Sequence, residues 1–220
     1  MQRSLRIRSE FVHNLRKFLV DQKKFVDVET PTLFRRTPGG AAEFVVPAPQ
    51  PNLGQAYSLP QSPQQFKQLL MVGGIDRYFQ IARCYRDEGS KGDRQPEFTQ
   101  VDIEMSFTNQ NGIMQLIEQM IVSSWPSSLS HLKPKLPFPR VKYSENHLLE
   151  ALSFGAPPHG GFALGLDRFV ALLTSEGDPT TPVRDVIAFP KTKNGRDLMS
   201  DSPTTLDAKQ IERYGIQLKS

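Results

Sequence analysis

Polar and apolar side chains alternate strictly along residues 100–107, and an apolar run rich in β-forming residues precedes them over residues 78–85. The two patterns predict a half-buried pair of strands. The connection between the strands, residues 87–97, is dense in charge and far longer than the roughly two to five residues of an ordinary hairpin loop. A loop of this kind typically binds a ligand. The alternative is an amphipathic hairpin whose polar face contacts only water.

Apolar residues at helical spacing predict an amphipathic helix over residues 4–20 and a second over residues 113–121. A short helix is also expected over residues 144–152. Between the helices, residues 25–29 alternate as a strand that ends before a proline, and residues 44–47 suit one short strand.

Residues 57–70 have the pattern of a strand, a turn and a helix. Ser62 is expected to cap that helix, with Pro63 in its first position. Gln64 and Lys67 would then lie one turn apart on one face, so an amide and an ammonium can reach a common anion. The alternative to such an anion site is that these two residues belong to an ordinary exposed first turn of the helix.

A glycine-lined segment, residues 159–168, predicts a strand that admits a ligand close to its backbone and then enters a helix near Arg168. His159 opens the segment and is expected to be a turn residue rather than a ligand. The preceding residues 123–140 are rich in Ser and Pro, with Trp125 as their single large anchor, and predict a linker or a poorly ordered loop.

Charged side chains gather at one end of the predicted strand pair. Asp102 and Glu104 share a face with Gln100, while Arg86 and Glu88 end the first strand and Arg94 follows across the loop. Cations and anions placed together in this way suit a ligand that carries both a phosphate and an amine.

The composition is that of an ordinary globular protein. With 220 residues, 38% hydrophobic and 23% charged, the chain can form one good core with a small appendage. The net charge of +4 permits nucleic-acid binding without demonstrating it. Cys84, the only cysteine, excludes an internal disulfide and is expected in the core. No run reaches the roughly 20 apolar residues of a membrane span, and the Arg-rich start is expected to belong to the folded body rather than to a transit peptide.

Several stretches resemble the class II aminoacyl-tRNA synthetases. Residues 86–88 and 93–104 resemble motif 2, residues 4–31 resemble motif 1, and residues 160–168, which end in Gly-Leu-Asp-Arg, resemble motif 3. The amino-acid sequences of these motifs are similar to those of the aspartyl branch of bacterial and mitochondrial type, the animal mitochondrial enzymes in particular. Residues 61–68 and 184–191 favour this branch over asparaginyl or lysyl relatives and over an ammonia-dependent asparagine synthetase on the same fold.

The resemblance implies an α+β fold in which helices flank an antiparallel sheet that is incomplete relative to the family. It divides the chain into a first part of the catalytic core, residues 1–122, a linker, residues 123–143, and a second part of the core, residues 144–220. The implied activity is that of an aspartate–tRNA ligase, in which ATP activates aspartate and the product is transferred to the 3′ end of tRNA(Asp). A non-catalytic module that dimerises or binds ATP or RNA is the alternative.

The resemblance also implies roles for individual residues and partners. Arg86 and Arg168 are expected to be catalytic. The expected ATP-binding residues are Arg86, Asp87, Glu88, Gln95, Phe98, Gly165, Leu166, Asp167 and Arg168. The expected aspartate-binding residues are Ser62, Gln64, Lys67, Arg86 and Asp102, and those that meet the tRNA acceptor end are Lys91 and Arg94. ATP arrives with Mg²⁺ bridging its phosphates, no metal site is built by the protein itself, and the chain forms a homodimer through the motif 1 helix. The expected location is the mitochondrial matrix, with a bacterial-type cytoplasm as the alternative, and no membrane partner is expected.

Three departures from the family pattern lower the expected activity. The chain begins at motif 1, without the anticodon-binding barrel. Between residues 107 and 160 no equivalent appears of the glycine-rich strand and the arginine that bind metal, ATP and aspartate in relatives, and Glu145 and Glu150 are poor substitutes. Gly39 stands where many relatives have glutamate. Aspartate activation is therefore expected to be severely reduced, with weak ATP binding through Arg86, Glu88 and Arg168, and the sheet is expected to leave unpaired edges.

Overall fold

The strand pair predicted from alternation forms the centre of a four-stranded sheet in the order β1-β4-β5-β6. The structure is a computed structural model that describes residues 1–37, 42–87, 94–139, 158–192 and 194–217. The strands of the sheet are β1 (Val26–Asp27), β4 (Arg77–Tyr85), β5 (Glu97–Ser106) and β6 (His159–Gly165). β4, β5 and β6 are antiparallel neighbours, and β1 runs parallel to β4. Two short strands, β2 (Val45–Pro47) and β3 (Ala56–Ser58), form a separate hairpin.

Helices cover both faces of the sheet, so the α+β class is confirmed. The helices are α1 (Gln2–Lys17), α2 (Gln64–Val72), α3 (Gln110–Ser124), α4 (Leu166–Thr174) and α5 (Ala208–Tyr214). On one face, α1, α3 and α4 bury a core that includes Phe11, Val101 and Val170, and the rings of Phe11 and Phe169 lie 4.9 Å apart. On the other face, α2 packs across β4 and β5.

Burial on both faces overturns the prediction of a half-buried strand pair. Val101 and Ile103 enter the apolar core as expected, but Asp102, Glu104 and Ser106 are buried as well. The hydrated face suggested by the alternation does not exist there, because α2 covers it. The polar residues of β5 therefore point into a covered interior rather than into solvent.

Most predicted elements are present, with shifted ends. α1 continues past Lys17 as a π-helical turn, Phe18–Gln22, and the strand expected over residues 25–29 is reduced to β1. The prediction that Ser62 caps α2 is wrong: Pro63 takes the cap position and the helix begins at Gln64, without a side-chain cap. Burial of Cys84 is confirmed, and the helix expected over residues 144–152 lies outside the described residues.

The linker interpretation of residues 123–140 is wrong for its first half. Residues Ser127–Leu132 form a 3-10 helix, and Leu129 is fully buried against Ile7 and Leu173. The Trp125 indole nitrogen donates a hydrogen bond to the Leu129 carbonyl at 2.8 Å. Serine and proline are typical of loops, but the few apolar residues among them are enough to pack the segment onto α1 and α4. Within the described residues β1 and β6 pair on one side only, as expected of a sheet with unpaired edges.

Glycines in β6 let that strand lie close against β5. A Cβ atom at Gly161 would overlap the Glu104 carboxylate and the carbonyl oxygen of Ile103, whereas a Cβ at Gly165 would meet nothing within 4 Å. Because backbone and a buried carboxylate cannot move aside easily, Gly161 is a requirement of the sheet.

We expect Gly161→Ala to lower the free energy of unfolding by about 1–3 kcal/mol, the usual cost of inserting atoms into a packed interior. Gly165→Ala in the same strand is the matched control and should change stability by no more than about 0.5 kcal/mol. Urea titration followed by circular dichroism measures both. Equal losses in the two variants would show that the close contact at Gly161 is not what limits the strand.

Candidate functional site

A cavity of about 610 Å³ opens where the ends of β4 and β5 meet the first turn of α4 and the chain after residue 190. It is lined by Phe44, Arg86, Asp87, Arg94, Gln95, Pro96, Phe98, Arg168, Val183, Thr192, Asn194, Gly195 and Pro203. Arg86, Arg94 and Arg168 contribute three cations, and Asp87 contributes the only carboxylate among these lining residues. The excess of guanidinium groups suits an anion, phosphate above all.

Arg86 lies over the ring of Phe98, with its guanidinium carbon 5.1 Å from the ring centre. The antiparallel register explains the pair, because Phe98 stands opposite Cys84 and Arg86 follows two residues later on the same face. The backbone N–H of Arg86 donates to the Pro96 carbonyl at 2.9 Å, which fixes the start of its side chain. Its Nε is buried and has no hydrogen-bond partner among the residues that the structure describes. A buried donor of this kind costs free energy until an acceptor satisfies it.

Arg168 reaches the cavity from the first turn of α4, and its Nη1 donates to the Thr181 carbonyl at 3.0 Å. The preceding motif 3 residues face elsewhere. Leu166 is fully buried in the core, and Asp167 pairs with Arg8 of α1 and accepts the backbone N–H of Thr99 at 2.8 Å. Neither side chain lines the cavity, so Asp167 joins α1, α4 and β5, and Arg168 is the residue of these three that lines the cavity. Gly165 ends β6 and is exposed.

Gln95 lines the cavity, but its amide is engaged by the chain itself. The amide oxygen accepts the Lys191 backbone N–H at 2.9 Å, and the amide nitrogen donates to the Lys191 carbonyl at 3.3 Å. Both ends of the amide therefore bind backbone. The adenosine contact expected of Gln95 stays a prediction, and any such contact competes with these two hydrogen bonds.

The residues expected to bind aspartate do not share one cavity. Arg86 lines the large cavity, whereas Ser62 and Gln64 line a separate one of about 120 Å³ beside Phe34 and Thr37. Lys67 and Asp102 line neither of the two, and the Lys67 side chain of α2 pairs with Asp102 in the interior. The roles predicted for these residues stay predictions, and the structure divides the set into Arg86, the pair Ser62 and Gln64, and the pair Lys67 and Asp102.

Lys67 lies between two carboxylates in the interior. Its Nζ is 2.8 Å from Asp102 Oδ1 and 2.9 Å from Glu104 Oε2. The period of a strand places both acids on one face, and α2 sets the lysine above them. The exposed fraction is 4% for Lys67, 1% for Asp102 and 4% for Glu104. Two carboxylates thus face one ammonium, and Asp102 Oδ2 has no hydrogen-bond partner.

Burial and charge act against each other in this cluster. Burial alone would lower the pKa of Lys67, but the charges of Asp102 and Glu104 outweigh it and leave the pKa above its ordinary value. For Asp102 burial has the larger effect and raises the pKa despite the neighbouring ammonium. Lys67 therefore stays protonated near neutral pH. A substrate carboxylate would have to compete with two internal acids for it.

Lys191 makes contacts near the cavity that the sequence does not predict. The match of residues 184–199 to one family branch drew attention to this stretch, but the pairing of Lys191 with Glu97 at 3.2 Å has no signature in periodicity or spacing. Glu88, Lys91, Gly39, Glu145 and Glu150 lie outside the described residues. Within the part of the chain that the structure describes, no group of three or more His, Cys, Asp or Glu side chains is placed to hold a metal ion, and no described helix is long and apolar enough to cross a membrane.

Comparison with known proteins identifies the family of the chain. The family model for tRNA synthetases class II (D, K and N) matches residues 1–147 and 145–193, most of the chain. The chain belongs to the class II tRNA synthetases. In this synthetase chain, 145 residues are 63% identical to the mitochondrial aspartate–tRNA ligase of Bos taurus and 61% identical to that of Homo sapiens. A further match, 50% identical over 145 residues, is the aspartate–tRNA(Asp/Asn) ligase of Trichodesmium erythraeum.

These matches cover 66% of the synthetase chain and 22–24% of the relatives, so the chain spans about a fifth to a quarter of the length of the curated relatives it matches. Among solved structures it resembles an Entamoeba histolytica asparaginyl-tRNA synthetase in complex with asparaginyl-adenylate, with a TM-score of 0.67 and 15% identity. That likeness covers 87% of this chain and 67% of the other, and it establishes the fold.

Removal of the lysine between the two acids should destabilise the protein in a pH-dependent way. We expect Lys67→Met to cost about 3–5 kcal/mol at about pH 7.5, because it leaves uncompensated buried carboxylates. Without the ammonium, which lowers the pKa of Asp102, the folded-state pKa of Asp102 rises further, so the folded variant binds more protons than the unfolded chain as the pH falls. The loss should shrink at about pH 5.

Lys17→Met, at an exposed position on α1, is the matched control and should stay within about 0.5 kcal/mol at both pH values. Urea titrations at the two pH values provide the comparison. A loss for Lys67→Met that does not vary with pH would mean that lost packing, not unpaired charge, is responsible.

Proposed function

We propose that the chain carries the nucleotide-binding part of an aspartate–tRNA ligase. The observation that carries the proposal is the cavity in which Arg86, stacked on Phe98, and Arg168 converge. Phe98 offers an apolar ring for a base, and the two arginines offer charge for phosphates. The curated relatives are named aspartate–tRNA ligases, and the solved structural neighbour holds an aminoacyl-adenylate. Both support ATP and an amino acid as the ligands.

The chemistry consists of two transfers. A carboxylate oxygen of aspartate attacks the α-phosphorus of ATP, and the bond to pyrophosphate breaks to leave aspartyl adenylate. The terminal ribose hydroxyl of tRNA(Asp) then attacks the acyl carbon, and AMP leaves. Little covalent help from the protein is needed, so catalysis depends on alignment and on neutralisation of phosphate charge. In this proposal Arg86 offers its buried Nε and neighbouring donors to the α-phosphate, and Arg168 neutralises the distal phosphates.

Among the described lining residues, one carboxylate is available to a magnesium ion that arrives with ATP. Mg²⁺ is normally held by one or two carboxylates together with substrate phosphates and water, and Asp87 is the single carboxylate among the described lining residues. We therefore propose that magnesium enters with ATP and is held mainly by the nucleotide, where it offsets phosphate charge. No step of the proposed chemistry depends on a protein-bound metal.

One observation favours a second candidate, a non-catalytic module that binds ATP or RNA. Lys67, the residue expected to hold the aspartate side chain, already has two carboxylate partners. An acidic substrate would face net negative charge at that point, which opposes its binding. Nucleotide binding at the arginine-lined cavity requires no change in this cluster. ATP binding can thus persist while aspartate activation is severely reduced.

Substitution of Arg86 tests the nucleotide site. We expect Arg86→Ala to weaken ATP binding at least about tenfold, since a hydrogen bond to a charged group contributes about 1.5–3 kcal/mol. Arg213→Ala is the matched control, because Arg213 also lies over an aromatic ring, Tyr214 at 5.7 Å, but does not line the cavity. Calorimetric titration with ATP measures affinity. Equal affinities in wild type and Arg86→Ala would refute the site.

Aspartate-dependent ATP–pyrophosphate exchange then separates the two candidates. Exchange by the wild-type chain above that of Arg86→Ala would support the ligase. ATP binding with exchange at background in both would support the non-catalytic module, provided that circular dichroism shows a folded protein. Exchange that is present but unchanged by Arg86→Ala would contradict the role assigned to this arginine in either case.

We propose a homodimer formed through α1, as in the motif 1 arrangement of the family. The exposed face of α1 carries Arg3, Arg6 and Lys17, so two copies would bring like charges together. Screening by salt should therefore strengthen association. Sedimentation at low and high salt measures this, and a monomer at every salt concentration would exclude the dimer.

The mitochondrial relatives support a location in the mitochondrial matrix, while the bacterial-type relatives leave a bacterial-type cytoplasm as the alternative. Protease protection in isolated mitochondria distinguishes the two.

A further inference from the structure

One side of the nucleotide cavity is formed by a segment that is neither helix nor sheet. We call it the wall segment: Lys191, Thr192 and residues 194–203. Thr192, Asn194, Gly195 and Pro203 contribute its lining positions. Hydrogen bonds inside the segment keep it folded back on itself, among them Thr192 N–H to the Arg196 carbonyl at 2.7 Å and Asp197 N–H to the Ser202 carbonyl at 2.9 Å. Its shape is therefore set locally, but its position depends on what it is attached to.

The wall segment is attached to the hairpin through its first residue. The backbone of Lys191 makes the two hydrogen bonds with the Gln95 amide. The Lys191 side chain lies between two acids: Nζ is 3.2 Å from Glu97 Oε1 on β5 and 3.8 Å from Asp197 Oδ2 within the segment. Glu97 is held in turn by Arg83 of β4 at 2.6 Å. One lysine thus joins the wall segment to two strands.

The side chains of Lys191 and Asp197 are less exposed to water than those of ordinary surface ion pairs. The side chains of Lys191 and Asp197 are 21% and 8% exposed, so water screens them only in part. Burial would raise the pKa of Glu97, but hydrogen bonds from Arg83 and Lys191 outweigh it and hold the pKa below its usual value. Asp197 also accepts bonds from Met199 N–H and Ser200 Oγ, which lower its pKa. Both acids are therefore charged near neutral pH.

The attachment lies on the opposite face of the hairpin from the ligand. In the antiparallel register, Phe98 alternates with Glu97 and Thr99, so Glu97 and its partner Arg83 face away from the stacked Arg86 and Phe98. Lys191 itself is not among the residues that line the large cavity. A second cavity of about 190 Å³ is lined by Arg83 and Glu97, and Gln95 borders both cavities. Gln95, whose amide binds the Lys191 backbone, is therefore the residue shared by the two cavities.

We propose that Lys191 is a positioning residue for nucleotide binding, which joins Glu97 of β5 to Asp197 and so holds the wall segment at the edge of the ATP cavity. The residue acts through the segment and does not contact the nucleotide. This inference rests on the proposed ATP site and deepens it: the arginines supply charge for the phosphates, and the lysine fixes the surface opposite them. Loss of this link would widen the cavity and weaken ATP binding without removing any group that touches ATP.

The test combines three variants with two measurements on the full chain. Lys191→Met removes the charge, Lys191→Arg restores a cation of similar length, and Arg196→Met is the matched control. Arg196 belongs to the same segment and pairs with Asp201 at 2.6 Å on the exposed side, without contact to β5. Calorimetry gives the affinity for ATP, and hydrogen exchange followed by mass spectrometry gives the protection of the wall segment relative to β4 and β5.

We expect Lys191→Met to bind ATP about fivefold more weakly, in line with the loss of a partly sheltered ion pair. Its wall segment should exchange faster while β4 and β5 keep their protection. Lys191→Arg should return both quantities to within about twofold of wild type, since arginine offers the same charge, and Arg196→Met should alter neither.

Three outcomes would overturn the positioning role: unchanged ATP affinity in Lys191→Met, loss of protection throughout the sheet, or the same effect in Arg196→Met. A wild-type chain that binds no ATP would instead overturn the proposed function. Because wild-type affinity is measured first, failure of the nucleotide site and failure of the lysine link give different results.

Discussion

Strand β5 is paired on both sides, with β4 along nine residues and with β6 along seven, and this double pairing determines where each side chain of the site lies. A strand in the middle of a sheet can expose neither its edges nor, once helices cover it, its faces. In β5 one face enters the apolar core and the other is covered by α2. The polar residues of the second face must then find partners in the interior, which explains why Lys67 of α2 lies between Asp102 and Glu104. β5 and β6 lie so close together that position 161 of β6 requires a glycine, because the Glu104 carboxylate of β5 lies against the backbone there.

Positive and negative charges are kept in separate places on the sheet. The cations that suit phosphates gather at the open end of the hairpin, where Arg86 and Arg168 face a cavity. The acids lie deeper, beneath α2, around a single ammonium. Strand geometry produces this division, because Arg86 follows β4 at its end while Asp102 and Glu104 occupy the middle of β5. The cavity therefore carries an excess of guanidinium groups, whereas the cluster beneath α2 places two carboxylates around one ammonium.

The wall segment shows how irregular chain can border a cavity without a sheet of its own. Its internal hydrogen bonds give it shape, and its attachment to the hairpin runs through Gln95, Glu97 and Lys191. Two adjacent residues of motif 3 are arranged in a similar way. Asp167 joins three elements, and Arg168 lines the cavity. In both cases one residue is paired with another part of the fold, and the next residue along the chain lines the cavity.

The sequence alone determined the family, the strand pair, the glycine-lined strand that enters α4, and the presence of Arg86 at the end of β4, because periodicity and local motifs depend on neighbours along the chain. It misjudged the exposure of Asp102 and Glu104, the cap at Ser62 and the packing of Leu129. Each of these depends on residues far away in sequence that periodicity cannot reveal. Only the tertiary structure decided that Lys67 has two acids as partners, that Asp167 binds Arg8, and that Lys191 pairs with Glu97 and Asp197. Pairing between charges is settled by distance in space, and that distance exists only once the sheet has formed.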